Sequence, residues 1–305
     1  MNRNTEPVVA ALGNFSVPRG MNSPVSPSPD GESARQSGQA PHGGGLLIVN
    51  ADDWGRDHET TQRMLDCILC GAVSSVSAMV FMQDSERAAA IAQERGIDAG
   101  LHLNLTTPFS APDTPLDLIE HQRRLSRYLR HHRLGQVIFH PGLAGSFKYV
   151  VAAQIEEFRR LYGAEPARID GHHHAHLCAN VLLGRLLPAG TIVRRNFSFR
   201  SGERSFGNRL YRKIVDRMLA RRHLITDLFF SLLPLEPQRL QRIFSAARES
   251  VVELETHPVS PEEYRLLTGG EIFRLAGGLP IARGFTQPLR RSAASGDHGR
   301  ASGNV

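Results

Sequence analysis

Cysteine, lysine and unbroken apolar runs are all scarce in this 305-residue chain. The three cysteines are Cys67, Cys70 and Cys178. An odd, small number argues against a disulfide framework and suits a reducing cytoplasm. Cys67 and Cys70 form a C-x-x-C, but no second pair and no thioredoxin-like context accompanies them. They read as packing residues on a helix that enters a turn at Gly71, rather than as a zinc or redox site. No stretch approaches the roughly 18 consecutive apolar residues of a membrane helix. The opening residues, MNRNTEPVVAALGNFSVPRG, lack the apolar core of a secretory leader. The expectation is a cytoplasmic protein with no transmembrane segment.

Lysine occurs only at Lys148 and Lys213, so the formal net charge of +6 is carried by arginine. It is unevenly spread. From Arg194 to Arg248, 13 Arg plus Lys face four acids. Such a block could attract nucleic acid, phospholipid head groups or an anionic substrate. It lacks interleaved aromatics and any nucleic-acid motif. It reads as a solvated, arginine-rich helical face, and no nucleic-acid partner is expected.

What remains is a foldable middle between polar ends. Residues 1–44 and 286–305 are rich in small and polar residues without hydrophobic periodicity, and are expected to be disordered tails. Residues 45–285 form the expected domain, a usual size for one α/β barrel. Within it, apolar runs alternate with helical patterns. Leu46–Ala51, Val76–Phe81, Ala99–Leu105, Ala167–Asp170, Ile192–Arg194 and Val251–Thr256 read as strands, with a weaker one at Thr226–Phe230. Thr60–Leu69, Ser85–Arg95 and Ala152–Tyr162 read as helices, the last two closed by Gly96 and Gly163. This alternation predicts a mostly parallel sheet wrapped by helices. The Pro108–Gly145 segment breaks the pattern and reads as an inserted lid with a basic helix, on which His131 and His132 are surface residues.

The chemistry-bearing residues fall where strands end. In parallel α/β folds, functional groups gather at the carboxyl ends of strands. The first strand runs into Asp52 and Asp53. Adjacent strand residues face opposite ways, so both reach one site only if the chain bends, which Gly55 makes feasible. His102 lies in the apolar strand GLHLN, and four histidines, His172, His173, His174 and His176, follow Asp170. In extended chain the even-numbered three would share a face. His257 ends ELETH. Arg194 follows a short strand and is expected to line the pocket, its planar head suited to sugar hydroxyls or phosphate. One Asp with two His gives three ligands and an open position, the plan of a catalytic metal site. The mixed N/O set favours zinc or a related metal, with magnesium less favoured. Such a metal would acidify a water and polarise a carbonyl. A second Asp could accept a proton and a separate His could return one.

The ordered motifs NADDWG (Asn50–Gly55), SSVSAMV (Ser74–Val80), GLHLNL (Gly100–Leu105), DGHHHAH (Asp170–His176) and ELETHP (Glu253–Pro258) resemble the YdjC-like carbohydrate deacetylases, which include chitooligosaccharide and hopanoid-associated deacetylases. The resemblance spans about residues 46–285. It implies a distorted (β/α) barrel and a hydrolase that removes acetyl groups from N-acetylated sugars. It also implies Asp53, His102 and His172 as ligands of one divalent ion, zinc or magnesium, with Asp52 as base and His257 as acid. The implied partner is an N-acetylated saccharide or glycolipid, with homodimerisation left open. Trp54 stands where the family usually carries Phe. Two other classes compete: a non-catalytic sugar-binding protein, and a phosphoester hydrolase in which the arginine block holds phosphate.

Overall fold

The strand LLIVNADDW is buried along almost its whole length, which requires a partner layer on each side. A computed structural model of the chain supplies both layers; it describes residues 45–285 and 289, apart from 133, 200–202 and 204. Among the described residues, seven strands make one all-parallel sheet: β1 (Leu46–Trp54), β2 (Ser75–Ala78), β3 (Ala99–Leu103), β4 (Arg168–Gly171), β5 (Ile192–Val193), β6 (Leu228–Ser231) and β7 (Val251–Thr256). Their order is β5-β4-β3-β2-β1-β7-β6. Around them run α1 (His58–Leu69), α2 (Ser85–Arg95), α3 (Leu116–His131), α4 (Ala144–Tyr162), α5 (Ala179–Leu183), α6 (Phe206–Ala220), α7 (Pro237–Ala246), α8 (Pro261–Thr268) and α9 (Glu271–Ala276). Local chemistry sets the helix ends. Asp57 accepts from Thr60 N–H at 2.8 Å to start α1. Gly96 and Gly163 take left-handed conformations that stop α2 and α4.

The sheet curls into a distorted barrel. Among the described residues no ladder joins the edge strands β5 and β6. Residues beside them make isolated contacts instead: Leu224, ahead of β6, bridges Ile192 of β5, and Ser198 N–H, past β5, donates to the Phe229 carbonyl of β6 at 2.8 Å. Each strand then has two faces. Leu47, Val49, Ala51, Val76, Leu101, Leu103, Ile169, Val193, Val252 and Leu254 pack in the main apolar core with the helices. The alternate positions carry Asn50, Asp52, Ser75, Ser77, His102, Arg168, Asp170, Arg194, Glu253 and Glu255, all buried. Period-2 alternation therefore runs through all of these strands, but its second face is polar and enclosed. At the amino end this enclosed face turns apolar: Ile48, Ile192, Val251, Phe285 and Leu289 form a separate buried group.

The expected tails, 1–44 and 286–305, lie outside the described residues, except that Leu289 is buried in that second group. The anticipated inserted segment contains α3, which packs on α4, and His131 and His132 are exposed as expected. The second strand stops at Ala78, three residues short of its expected end. No described helix is long and apolar enough to cross a membrane.

Candidate metal centre

Asp53 sits at a break in the β1–β2 ladder. Asp52 pairs with Ser77 and Trp54 with Ala78, which leaves Asp53 as the extra residue of a bulge. Its φ of +76° is left-handed, a conformation that costs a non-glycine residue free energy. The expected bend is therefore made at Asp53 itself as well as at Gly55 (φ +86°). Its effect is to let two consecutive carboxylates serve one site.

Asp53, His102 and His172 come together. Nδ1 of His172 lies 2.9 Å from Asp53 Oδ1, and Nε2 of His102 lies 3.4 Å from the same oxygen. Yet neither Asp53 Oδ1 nor His102 Nε2 completes a hydrogen bond, although both atoms are buried. An unsatisfied buried polar atom costs roughly 1–3 kcal/mol, so two facing one point call for a shared partner. Asp170 Oδ1 holds His102 Nδ1 at 2.7 Å. That bond fixes the ring so that Nε2 faces the site, an arrangement typical of ligating imidazoles. Arg56 takes the other oxygen of Asp53 at 2.9 Å. The three candidate donor atoms lie within 4.8 Å of one another.

Charge counting agrees. The enclosed barrel end holds the carboxylates Asp52, Asp53, Asp170, Glu253 and Glu255 against the guanidinium groups of Arg168 and Arg194. Burial, then the charge of Asp52, holds Glu255 well above the usual carboxylate range, and Glu253 is also raised by burial. Burial works against a charge on His102, but Asp52 and Asp170 push it up to about 10. Two imidazoles and a carboxylate, set in an anionic and water-poor chamber, fit a divalent cation.

Asp52 is arranged differently. Arg194 grips it with two bonds, of 2.6 and 2.8 Å, and Asn50 donates at 2.8 Å. Burial raises the Asp52 carboxyl, but Arg194 and then His102 outweigh it and leave it well below the usual range. Arg194 also donates to Glu253 at 2.7 Å and Glu255 at 3.4 Å, and lies 3.0 Å from Asp170. Four of these contacts are hydrogen bonds, and the fifth, to Asp170, is an ion pair. Arg194 is 2% exposed, and its guanidinium is turned toward carboxylates. It follows β5 as anticipated, but it points into the interior and positions Asp52 there. His257 follows β7 and is tied by its backbone N–H to Glu263 at 2.7 Å. A candidate donor atom of its ring lies within 4.8 Å of candidate oxygens of Asp52 and Glu255.

The histidine run is not extended. Residues 172–177 form a 3₁₀ turn with His173 and His174 left-handed at φ +54°. Its rings therefore scatter. His172 meets Asp53, and His173 contacts the Thr106 hydroxyl at 2.9 Å. His176 is buried and donates to the Arg194 carbonyl at 2.9 Å. His174 packs edge-on against Phe197 at 4.6 Å, and burial followed by Arg194 pushes it down to about 3. His173 and His174 line a cavity of about 320 Å³ together with Gln136, Asn196, Phe197 and Tyr211. That volume lies within the roughly 300–1,000 Å³ of small-molecule pockets. Gln136 brings the inserted segment to the site edge, where its side chain donates to the His173 carbonyl at 3.3 Å.

Sequence reasoning missed Glu253, Glu255, Arg168 and Asp170 as working residues. The signal was present: each is a charged residue at alternate spacing inside an apolar strand. Gly100 belongs with them. A Cβ there would meet Arg168 Cζ at 2.7 Å, so the glycine makes room for the buried guanidinium.

The family model for YdjC-like proteins matches residues 46–273. A carbohydrate deacetylase of Mus musculus is 30% identical over 44% of this chain and 44% of its own. A chitooligosaccharide deacetylase of an Enterobacter strain is 33% identical over 43% of this chain and 50% of its own. The match thus spans about half the length of these curated relatives. Among solved structures, an Enterococcus faecalis protein provisionally described as a cellobiose-phosphate cleavage protein superposes with a TM-score of 0.56 at 18% identity. It covers 80% of this chain and 98% of that one, a likeness of fold. Family match, parallel barrel and strand-end motifs agree, and the chain belongs to the YdjC-like family.

Proposed function

We propose that the protein is a metal-dependent hydrolase that removes the acetyl group from an N-acetylated sugar, either a chitooligosaccharide or an N-acetylglucosaminyl conjugate. The observation that carries this reading is the pair of unpartnered buried atoms, Asp53 Oδ1 and His102 Nε2, beside His172. The names of the curated relatives support the sugar and the reaction. Asp53, His102 and His172 hold one divalent ion, zinc before magnesium. The bound ion supplies Lewis acidity, which makes a nearby water more acidic and an amide carbonyl more electrophilic.

The chain's own residues do the rest. Arg194 keeps Asp52 ionised and fixed in orientation, ready to accept a proton from the attacking water. His257 returns a proton to the departing nitrogen. Asp170 fixes the tautomer of His102. His173, His174, Phe197 and Asn196 present aromatic and amide surface to the sugar. A phosphatase reading would need free arginine donors at the centre, and those of Arg194 are engaged by carboxylates. We place the protein in the cytoplasm on its free cysteines. The test is metal analysis of the purified protein, with acetate and inorganic phosphate release measured on chitooligosaccharides and N-acetylglucosaminyl lipids. Acetate release that tracks metal content supports the reading. Phosphate release from phosphorylated sugars, without acetate from any amide, contradicts it.

A further inference from the structure

The arginine block conspicuous in the sequence divides into groups with different surroundings. Arg194 is interior, and Arg195 pairs with Asp216 at 2.7 Å. Arg239 and Arg248 donate to backbone carbonyls. Arg221 and Arg222 do none of this. With Arg185, contributed by the turn after α5, they have no side-chain hydrogen bond or ion pair among the described residues. Arg185, Arg221, Arg222 and His223 line one pocket of about 420 Å³. Its remaining walls are apolar, and no acid lines it.

Three like charges around one apolar pocket repel one another, and physiological salt screens such repulsion only beyond roughly 8–10 Å. A fold that gathers them without a counter-charge leaves the pocket short of an anion. Its frame is fixed by the backbone. Gly190 N–H donates to the Arg222 carbonyl at 2.8 Å, and Leu224 N–H donates to Thr191 at 3.1 Å. The Thr191 hydroxyl contacts His223 Nδ1 at 3.2 Å. Arg185 itself is left-handed at φ +51°, at the helix-ending turn where glycine fits without strain. The pocket borders Gly190 and Thr191, at the start of β5, whereas Arg194 lies past the end of that strand. It is therefore at the amino end of the barrel, away from the metal centre.

We propose that this pocket is a second ligand site that binds a phosphate-type anion, with Arg185, Arg221 and Arg222 as its donors. The phosphate can belong to a soluble ester or diphosphate, or to an anionic lipid headgroup. Arginine's planar fork matches phosphate oxygens, and the apolar floor raises the strength of each charge-assisted bond. At this end of a barrel, such a site anchors or regulates the protein and takes no part in the reaction.

Calorimetric titration of the full-length, metal-loaded protein with inorganic pyrophosphate tests this. Saturable binding is expected. Arg185→Ala and Arg222→Ala should each weaken it about tenfold or more, the effect of losing one charge-assisted hydrogen bond. Arg274→Ala, an exposed arginine paired with Glu271 elsewhere, and Asp53→Ala at the metal centre should leave it intact. A second arm uses vesicles of phosphatidylglycerol with phosphatidylcholine vesicles as control. Capture that is selective for phosphatidylglycerol and lost in the two pocket variants assigns the headgroup as source. Pyrophosphate binding without vesicle capture assigns a soluble ester. The proposal is overturned by the absence of both, by equal pyrophosphate affinity in wild type and the pocket variants, or by loss of binding in Asp53→Ala.

Discussion

The two ends of the barrel are built from the same strands and the same alternate positions, yet they solve opposite problems. On β1 the enclosed face reads Ile48, Asn50, Asp52; past β5 it goes from Ile192 to Arg194; on β7 it reads Val251, Glu253, Glu255. The amino-end members pack against Phe285 and Leu289. Two residues on, the same face is ionic and holds unsatisfied atoms. The amino end gains stability from apolar burial. The carboxyl end gives some of it back, in desolvated charge and a left-handed Asp53, to hold groups ready for a cation. The lesson is that polar residues at alternate spacing in a buried parallel strand mark the barrel's working face.

The sharpest way to break this comparison is at the three donors. Asp53→Ala, His102→Ala and His172→Ala should each lose bound metal and essentially all amide hydrolysis, measured by elemental analysis and acetate release. Full metal occupancy in all three would remove the assignment. Next in size are the residues beside the ion. Asp52→Asn and His257→Ala should keep the metal and lose roughly 10²–10⁴ in kcat, the usual effect of removing a positioned acid or base. If Asp52→Asn loses metal while Asp53→Asn keeps it, the two roles are exchanged.

The sequence carried the strand-end motifs and the barrel, because continuous apolar runs and the residues that interrupt them are local signals. All six candidate residues, Asp52, Asp53, His102, His172, Arg194 and His257, do meet at one end. What local signals could not supply was direction. Arg194 reads from the sequence as a strand-end arginine, and the four carboxylates around it come from β1, β4 and β7. The histidine run reads as extended until the left-handed turns at His173 and His174 scatter its rings. Both depend on side chains from distant segments, which spacing within one segment does not encode.

Arg194 sharpens the comparison from within the charged end. Arg194→Ala leaves buried carboxylates unpaired and should cost about 3–5 kcal/mol of stability, read from denaturant unfolding. In the folded fraction kcat should fall with KM little changed, because Asp52 loses its tether while the sugar loses no contact. A raised KM at constant kcat would place Arg194 in the substrate pocket instead. At the amino end, Ile48→Ala removes a buried side chain of the separate apolar group. It should cost about 2–5 kcal/mol through a cavity, with metal content and kcat of the folded protein unchanged. Loss of metal in Ile48→Ala would mean that the two ends are not separable.

The most direct test of the central claim is anomalous diffraction at the zinc edge from crystals grown with zinc. The account predicts one strong peak in the barrel, bounded by Asp53 Oδ1, His102 Nε2 and the ring of His172. A peak between Asp52, Glu255 and His257 instead, or none in a fully loaded crystal, would contradict it.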